Sequence, residues 1–378
     1  MCTSLLAVPL LLSLVACSDE PVTPGLPTNL PVLQTLWSLP EVKTLGITSL
    51  QGDLLLAGSE VRAVNVRTRQ LAFSLPNRVD RDRTSFASVG NDVLVIENGP
   101  GSLMRLIDRT GKTLNTIAFP SKYGVSLRQQ GPYVFGNALY VGSGPTLYKY
   151  DVAALRTPGV QPIWQKTLST LYLQSLFAAD EHRIFVGTDG NRLVSLDGQG
   201  KERWSVQLDA PETTLAGAYV LALNGNTLIT QAGRNGLQAY DADTGQRAWE
   251  QFSSVDVCPS GAAPAEFSIE LAAGMVFFGH AGGSCVLAFH ADTGKLAWVF
   301  DAPVKGTFDT KPLYVNGVVY ANNSRLWALD AQSGELLASS PANQYLGANV
   351  GAPLSYDPVD HQVMTWGNTG VYAYKPLR

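Results

Sequence analysis

The 378-residue sequence contains few of the residues from which catalytic and metal sites are usually built. It has only four cysteines and four histidines, and 27 Lys and Arg residues stand against 31 Asp and Glu residues. The formal net charge of −4 offers no basic surface for a phosphate backbone, which argues against nucleic acid as a partner. No GxSxG motif or P-loop lysine is present. Composition therefore does not favour hydrolase or nucleotide-binding chemistry.

The histidines lack metal-ligand spacing. None of them forms an HxH or HxxxH pair, so a structural role is favoured over metal ligation for each. The four residues are His182, His280, His290 and His361. The sequence predicts no metal and no cofactor.

Apolar runs are short everywhere except at the N-terminus. Residues 1–17 read MCTSLLAVPLLLSLVAC, a run that resembles a secretory signal ending in a bacterial lipobox. In that motif the cysteine, here Cys17, becomes the lipidated first residue of the mature protein. No Lys or Arg precedes the run, and the alternative is an ordinary signal peptide with a chance cysteine. The polar and proline-rich residues 18–31 are predicted to form a tether. Ser18, rather than Asp, after Cys17 favours the outer membrane.

Two cysteines remain once Cys17 is lipidated and Cys2 is removed with the signal. They are Cys258 and Cys285, 27 residues apart and in loop-like surroundings. In an oxidising compartment a disulfide between them is plausible, whereas the spacing does not resemble a CxxC metal site.

No long segment with a 3.6-residue period is found, but one phrase recurs along the chain. LQAYDADTGQRAW (237–249) returns as VLAFHADTGKLAW (286–298), and weaker copies occur elsewhere. The anchor positions of the copies are Asn65, Asp108, Asp151, Asp197, Asp241, His290 and Asp330, at spacings of 40 to 49 residues. Each copy follows two apolar runs around a Gly turn. This period predicts the four-stranded antiparallel blades of a β-propeller.

The phrase is interpreted as a turn followed by a packing residue. Its Asp accepts hydrogen bonds from backbone N–H groups, and its Gly supplies a positive φ. The predicted turn glycines are Gly111, Gly200, Gly245, Gly294 and Gly334. The aromatic residues predicted to dock one blade on another are Trp37, Phe73, Trp164, Trp204, Trp249 and Trp298. Asn115 and Ala338 occupy this position in blades 2 and 7. Shortened turns (DRTG, DGQG) and Arg69 at the glycine position of blade 1 are expected to make those turns less regular.

The C-terminal residues 352–378 contain only three predicted strands, whereas VLQTLWSLP (32–40) holds Trp37 in the setting of a last strand. The N-terminal strand is therefore predicted to complete the last blade. This closure gives an all-β, eight-bladed propeller over residues 32–378, with no free sheet edge.

The repeat LDxxTGxxxW resembles that of the pyrroloquinoline quinone (PQQ)-type β-propellers. One branch of that superfamily comprises PQQ-dependent dehydrogenases, and the other comprises non-enzymatic BamB-like lipoproteins of the outer-membrane β-barrel assembly machinery. The dehydrogenases are typically much longer and carry an adjacent-cysteine disulfide, which has no counterpart here. The resemblance therefore implies the second branch: a monomeric, lipid-anchored propeller of the outer membrane, facing the periplasm, that binds envelope proteins.

Several alternatives remain open from the sequence. The repeated Asp residues could be misread as catalytic carboxylates, but each belongs to a different blade and capping is favoured. The charged loop 77–86 is either a solvated edge or a partner-facing patch. The insertion 253–267, which contains Cys258, is the loop most expected to be specialised. A PQQ-binding relative of the dehydrogenases and a propeller that binds a small ligand or glycan in its central funnel are the alternative functions.

Overall fold

The computed structural model of the chain is all-β. It describes residues 30–40, 46–50, 52–57, 60–76, 84–97, 103–118, 132–170, 173, 178–189, 191–208, 218–232, 236–252, 258, 269–279, 284–308, 310–342, 344, 346, 354–367 and 370–378. These residues form eight separate four-stranded antiparallel sheets, which confirms the predicted eight-bladed propeller. The described part contains one short helical turn, the 3₁₀ turn Ala153–Arg156.

Seven blades are built from four consecutive strands each. Strand β1 (Thr35–Pro40) stands apart from them. Blade 1 comprises β2 (Gly46–Leu50), β3 (Asp53–Ala57), β4 (Glu60–Asn65) and β5 (Leu71–Pro76). Blade 2 comprises β6 (Thr84–Val89), β7 (Asp92–Glu97), β8 (Leu103–Ile107) and β9 (Thr113–Ala118). Blade 3 comprises β10 (Tyr133–Phe135), β11 (Ala138–Ser143), β12 (Thr146–Asp151) and β13 (Trp164–Thr167).

The remaining blades repeat this plan. Blade 4 comprises β14 (Ala178–Ala179), β15 (Arg183–Gly187), β16 (Arg192–Asp197) and β17 (Glu202–Gln207). Blade 5 comprises β18 (Ala218–Asn224), β19 (Thr227–Ala232), β20 (Gly236–Asp241) and β21 (Arg247–Phe252). Blade 6 comprises β22 (Ile269–Ala272), β23 (Met275–Gly279), β24 (Cys285–His290) and β25 (Leu296–Asp301). Blade 7 comprises β26 (Leu313–Val315), β27 (Val318–Asn322), β28 (Leu326–Asp330) and β29 (Leu336–Ser339).

Blade 8 is completed by the two ends of the chain. Its strands are β30 (Ser355–Asp357), β31 (Gln362–Gly367), β32 (Gly370–Tyr374) and then β1. Strand β1 runs antiparallel to β32, with Trp37 opposite Ala373, which confirms the predicted closure. Pro31, placed by the sequence in the tether, already accepts a hydrogen bond from Ser339 N at 3.1 Å. The ordered contact with blade 7 thus begins within the predicted tether.

The first strand of each blade lies towards the axis of the ring. Strand β2 contacts β6 on one side and β30 on the other, and β22 likewise lies between β18 and β26. Second strands such as β7 and β31 are buried along their whole length, because both of their faces meet a neighbouring blade. Fourth strands such as β5 alternate between exposed and buried positions, as expected at an outer rim.

The core is distributed over the blade junctions. The described residues form eight apolar clusters, and each cluster joins two neighbouring blades, including blades 8 and 1. No single blade encloses a core of its own, since each buries its apolar faces against its neighbours. The ring therefore depends on every junction being filled.

The up-and-down order of the strands gives the ring two different faces. The turns that join first to second strands and third to fourth strands share one end of every blade, which we call the turn face. The opposite end, which we call the connection face, receives the turns between second and third strands and all links from one blade to the next. The repeated DxxTG turns thus belong to the turn face, whereas the variable links belong to the connection face.

Candidate functional site

The repeated turn on the turn face is closed by its own carboxylate. In blade 5, Asp241 Oδ1 accepts hydrogen bonds from the backbone N–H groups of Asp243 (3.0 Å) and Thr244 (2.8 Å) and from the Thr244 hydroxyl (2.9 Å). Gly245, at φ 74°, donates its N–H to Asp241 O at 2.8 Å. The Thr244 hydroxyl and N–H groups lower the pKa of Asp241. The carboxylate is held ionised as part of the turn.

The other anchor carboxylates make equivalent bonds. Asp108, Asp151, Asp197 and Asp330 each accept at least one backbone N–H within their own turn, at 2.8 to 3.0 Å. Hydrogen bonds from Thr110 and Ser333 lower the pKa values of Asp108 and Asp330 respectively. Because these five carboxylates lie in five blades, they form no acid–base pair.

The expectation that shortened or substituted turns are less regular is wrong. The shorter turns close by a bond from Gly111 N to Asp108 O (3.0 Å) and from Gly200 N to Asp197 O (2.9 Å), three residues back rather than four. In blade 1, Arg69 adopts φ 61° and donates its N–H to Asn65 O at 2.8 Å, as glycine does in the longer turns. An L-residue in this region is strained, so the surrounding hydrogen bonds hold Arg69 in place.

Four tryptophans dock on the turn of the following blade. The Trp298 indole N–H donates to Ala331 O in blade 7 at 3.1 Å, and a Cβ added at Gly334 would lie 2.6 Å from the ring. The same two contacts join Trp164 to Gly198 O and Gly200, Trp204 to Ala242 O and Gly245, and Trp249 to Ala291 O and Gly294. The glycine is thus needed for close approach of the ring as well as for its φ.

Phe73 and Trp37 occupy the docking position with partial sets of these contacts. Phe73 packs on Gly111 without an N–H to donate. Trp37 joins the apolar cluster between blades 8 and 1 but donates its indole N–H to Gln362 Oε1 of its own blade at 2.6 Å. The turn it faces is the one that carries Arg69.

Blades 2 and 7 lack the aromatic because the following blade lacks the turn. Asn115 faces the 3₁₀ turn that replaces the motif in blade 3, and its amide donates to Leu155 O (2.7 Å) and Thr157 O (2.9 Å). Ala338 faces blade 8, where no turn links β32 to β1 because these strands come from opposite ends of the chain. Sequence reasoning missed Asn115, since the only signal for it is the altered hairpin of the next blade.

Ion pairs add a second set of contacts between turns of neighbouring blades. Arg67 Nε lies 2.5 Å from Asp360, Arg156 Nη2 lies 2.7 Å from Asp92, and Arg378 Nη1 lies 3.0 Å from Asp330. Each pair joins the outer turn or end of one blade to a turn of the preceding blade. These partners do not recur within the repeat, so the repeat pattern does not predict them.

An open pocket lies on the turn face between blades 4 and 5. It is lined by His182, Arg183, Arg203, Asn226 and Asp243. Arg183 contacts Asp180 at 2.5 Å and Asp243 at 3.2 Å, and Arg203 also contacts Asp243 at 3.2 Å. Burial raises the pKa of Asp180, but the Arg183 and backbone hydrogen bonds outweigh it and the net pKa is lowered. The two arginines of the pocket are therefore paired with carboxylates, and their bonds to Asp243 join blade 4 to blade 5.

A disulfide joins Cys258 to Cys285, the pair that the sequence singled out. Both cysteines are buried, with 3% and 0% of their surface exposed. Cys285 begins β24, so the bridge ties the insertion 253–267 to blade 6 at the connection face. Cys258 is the part of that insertion that the structure describes.

Other predicted features fall partly or wholly outside the described residues. Cys17 and His280 lie outside them, and only residues 84–86 of the loop 77–86 are described. His361 lies in a turn, with its Nδ1 2.9 Å from the Tyr356 hydroxyl.

Across the described ranges, no group of three or more His, Cys, Asp or Glu side chains is arranged to hold a metal ion. Nor does any described helix have the length and apolar character to cross a membrane.

Comparison with solved structures identifies the same fold in two kinds of protein. The structure of BamB from Moraxella catarrhalis matches with a TM-score of 0.65 at 15% identity, covering 90% of this chain and 99% of that one. The quinohemoprotein alcohol dehydrogenase from Comamonas testosteroni matches with a TM-score of 0.70 at 14% identity, covering 92% and 77%. At such identities the likeness establishes the fold alone.

Sequence comparison is more specific. The chain is 31% identical over 124 residues to the quinohemoprotein alcohol dehydrogenase ADH IIB of Pseudomonas putida, but spans only 17% of the length of that protein. A family model described as outer membrane protein assembly factor BamB matches residues 149–283 and 270–357, which together span more than half of the chain. On the extent of that match, the chain belongs to the family of the outer membrane protein assembly factor BamB.

Proposed function

We propose that the chain is a non-catalytic, lipid-anchored scaffold that binds proteins of the bacterial envelope. The observation that carries the proposal is the family match across residues 149–357, together with coverage of 99% of the Moraxella BamB chain. Residues 1–17 act as a lipoprotein signal, Cys17 carries the acyl chains, and residues 18–31 link them to the ring. The protein resides at the outer membrane and faces the periplasm.

The use of the repeated residues supports a scaffold. The anchor carboxylates bind their own turns, and the docking tryptophans fill blade junctions. The paired arginines of the turn face hold neighbouring blades together. Residues that could have been assigned to catalysis are thus occupied in maintaining the ring.

The connection face is the proposed surface for protein partners. It bears the links between blades, which differ in length and sequence, whereas the turn face repeats one motif. At blades 6 and 7 this face is braced by the disulfide, by Lys305 Nζ 2.8 Å from Asp301, and by Asn323 Nδ2 3.0 Å from Val304 O. A braced surface with variable links suits specific binding, because little conformational entropy is lost on association.

Site-specific photo-crosslinking in intact cells tests this proposal. A crosslinking side chain at exposed Lys305, on the connection face, should yield a discrete adduct with an envelope protein. The same side chain at exposed Lys201, on the turn face, is the matched control and should not yield that adduct. Equal labelling at both positions, or no adduct at position 305 or at other connection-face positions, would contradict the proposal.

Lipidation has its own test. Labelled palmitate should be incorporated into the wild-type protein and not into the Cys17→Ser variant, and only the wild type should resist extraction from membranes by high salt. Incorporation that survives the substitution would show that Cys17 is not the modified residue.

A quinoprotein function is the second candidate, favoured by the 31% identity to ADH IIB over 124 residues. The sequence has no adjacent cysteine pair, and the described residues contain no group of three or more His, Cys, Asp or Glu side chains arranged to hold a metal ion. Incubation with PQQ and Ca²⁺ followed by gel filtration should therefore leave the quinone absorbance in the small-molecule fraction. A bound chromophore with dye-linked alcohol oxidation would establish the quinoprotein function instead.

A further inference from the structure

Three of the six large apolar side chains that are exposed among the described residues lie on the turn face where the ring closes. Among the described residues, Leu71 is 56% exposed, Val359 51% and Leu377 40%. Leu71 follows the outer turn of blade 1, Val359 lies in the inner turn of blade 8, and Leu377 follows β32. All three belong to the turn face of adjoining blades.

Polar contacts show that these segments are neighbours. Arg67 beside Leu71 pairs with Asp360 beside Val359 at 2.5 Å. The backbone N–H of Leu377 donates to the Tyr320 hydroxyl at 3.0 Å, which holds the end of blade 8 against blade 7. The segments that carry the three side chains therefore adjoin one another on the turn face, from the edge of blade 7 across blade 8 to blade 1.

Exposed cations accompany the apolar side chains. Arg69 and Lys375 are both exposed, and neither has an ion-pair partner in the part of the chain that the structure describes. Arg69 replaces the glycine that other turns carry at this position, so a charge has been placed there despite an unfavourable φ of 61°. We call Leu71, Val359, Leu377, Arg69 and Lys375 the seam patch.

The tether reaches the ring beside the seam patch. The backbone N–H of Lys375 donates to Gln34 O at 3.0 Å, whereas Leu33 N donates to Ser339 O at 2.8 Å at the connection-face end of β29. The N-terminal segment thus joins the ring between blades 7 and 8 and meets the seam patch at Gln34. Residues 18–30, at about 3.5 Å each, span at most about 45 Å. An acyl chain on Cys17 would keep this edge of the ring within that distance of the membrane, at a high effective concentration.

We propose that the seam patch is a lipid-contacting surface that rests on the anionic headgroups of the membrane carrying the protein's own anchor. Apolar side chains that enter the interface, flanked by cations that attract acidic lipids, are the chemistry of such surfaces. The connection face then points away from the membrane, towards protein partners. This inference rests on the proposed lipidation of Cys17.

Photo-crosslinking in the membrane tests the seam patch directly. A crosslinking side chain is placed at position 71, 359 or 377 of the full chain, and adducts with phosphate-labelled lipid are counted. Leu296 and Ile163 provide matched controls, because Leu296 occupies in blade 6 the position that Leu71 occupies in blade 1, and Ile163 is 60% exposed in blade 3. Seam positions should label lipid at least about five-fold more than control positions, because interfacial contact confines the seam side chains to the headgroup layer.

A second variant tests the charges without disturbing the fold. Arg69→Gly restores the residue found in other turns, and Lys375→Gln changes an exposed side chain. Together they should lower lipid labelling at position 377 at least about two-fold, since each cation near an acidic surface contributes to attraction. The parent protein should remain in the membrane fraction throughout.

Three outcomes overturn the inference. Equal lipid labelling at seam and control positions, with the protein still membrane-bound, refutes the seam patch and leaves the anchor intact. A protein adduct in place of a lipid adduct at positions 71, 359 and 377 identifies the seam as a partner surface instead. Recovery of the parent protein in the soluble fraction refutes the lipid anchor and the seam patch together.

Discussion

Different residues fill two consecutive blade junctions, the one between blades 6 and 7 and the one between blades 7 and 8. At the first, Trp298 lies on Gly334 and donates to Ala331 O. At the second, the docking position holds Ala338, and the N-terminal residues Pro31 and Leu33 bind Ser339 instead. A docking aromatic side chain is present where the next blade carries the anchor turn and absent where that turn is replaced or missing.

This difference shows that each repeat acts across two blades, because its tryptophan packs on the turn of the following blade. An isolated LDxxTGxxxW phrase cannot use its tryptophan, because the glycine and carbonyl that receive the ring belong to the following copy. The blade that closes the ring has no turn between its third and fourth strands, because β32 and β1 come from opposite ends of the chain. It is held by backbone pairing of β1 with β32 and by the contacts of the chain ends.

The largest effect is expected from removing the closing strand. Deletion of residues 32–40 leaves β32 with an unpaired edge and empties the Trp37 site, so the chain should lose cooperative unfolding and aggregate. Circular dichroism measures the cooperativity of thermal unfolding, and light scattering measures aggregation. Deletion of residues 18–28 is the control and should leave the melting curve of the ring unchanged; a monomeric, cooperative protein without β1 would contradict the account.

Removal of a docking ring should be the next largest effect. Trp298→Ala creates a cavity between blades 6 and 7 and should cost about 4 kcal/mol of unfolding free energy in chemical denaturation. Trp298→Phe retains a ring but loses the N–H bond to Ala331 O, and should cost about 1–2 kcal/mol. Similar losses for the two variants would show that the hydrogen bond, rather than packing, dominates the junction.

Glycines that lie beside a docking tryptophan and glycines in open turns should differ in the free energy of unfolding that a substitution by alanine costs. Gly334 and Gly274 have φ values of 72° and 74°, but an added Cβ meets Trp298 at 2.6 Å only at Gly334. Gly274→Ala should cost about 1 kcal/mol from backbone strain alone. Gly334→Ala should cost about 3 kcal/mol because overpacking is added to the strain. Equal denaturation midpoints for the two variants would contradict close docking.

The polar junction between blades 2 and 3 should be weaker than an aromatic one. Asn115 is 8% exposed and donates to two carbonyl oxygens, so Asn115→Ala should cost about 2 kcal/mol. Asn224→Ala, at the exposed end of β18, is the control and should change stability by less than about 0.5 kcal/mol. A neutral Asn115→Ala variant would show that the altered hairpin of blade 3 needs no docking residue.

The smallest effect is the acid dependence of the turns. Hydrogen bonds from Thr244 and Ser333 lower the pKa values of Asp241 and Asp330 from 3.8 in the folded state. Their contribution is present above the unfolded pKa and is lost as pH falls through the lowered folded pKa. Stability should therefore decline below about pH 4, and less steeply in Asp241→Asn than in wild type. A wild-type decline no steeper than that of the variant would contradict the assignment.

The fold could be predicted from the sequence because its signals recur. The spacing of the Asp anchors indicated the blades, and Trp37 indicated which strand closes the ring. The roles of Asn115 and Ala338 could not be predicted in this way, because a docking residue is selected by the hairpin of the next blade. The regular turn at Arg69 was also missed, since propensity alone disfavours an L-residue at φ 61°.

The surfaces were harder to predict than the ring. Pairs such as Arg67 with Asp360 join residues almost 300 positions apart and occur once, so no repeat signals them. The seam patch likewise exists only because the chain ends meet blade 1 in space. Sequence periodicity predicts the turns and docking residues that recur in the blades. The surface contacts proposed to carry function occur in single blades, so periodicity does not predict them.

A double-mutant cycle between Trp298 and Gly334 tests most directly whether the repeated phrase is a docking device. Gly334→Ala should cost about 3 kcal/mol in the wild-type background but only about 1 kcal/mol in Trp298→Ala, because the ring that the methyl group meets is gone. The cost in the second background would then equal that of Gly274→Ala. An unchanged cost of Gly334→Ala in both backgrounds would contradict the account.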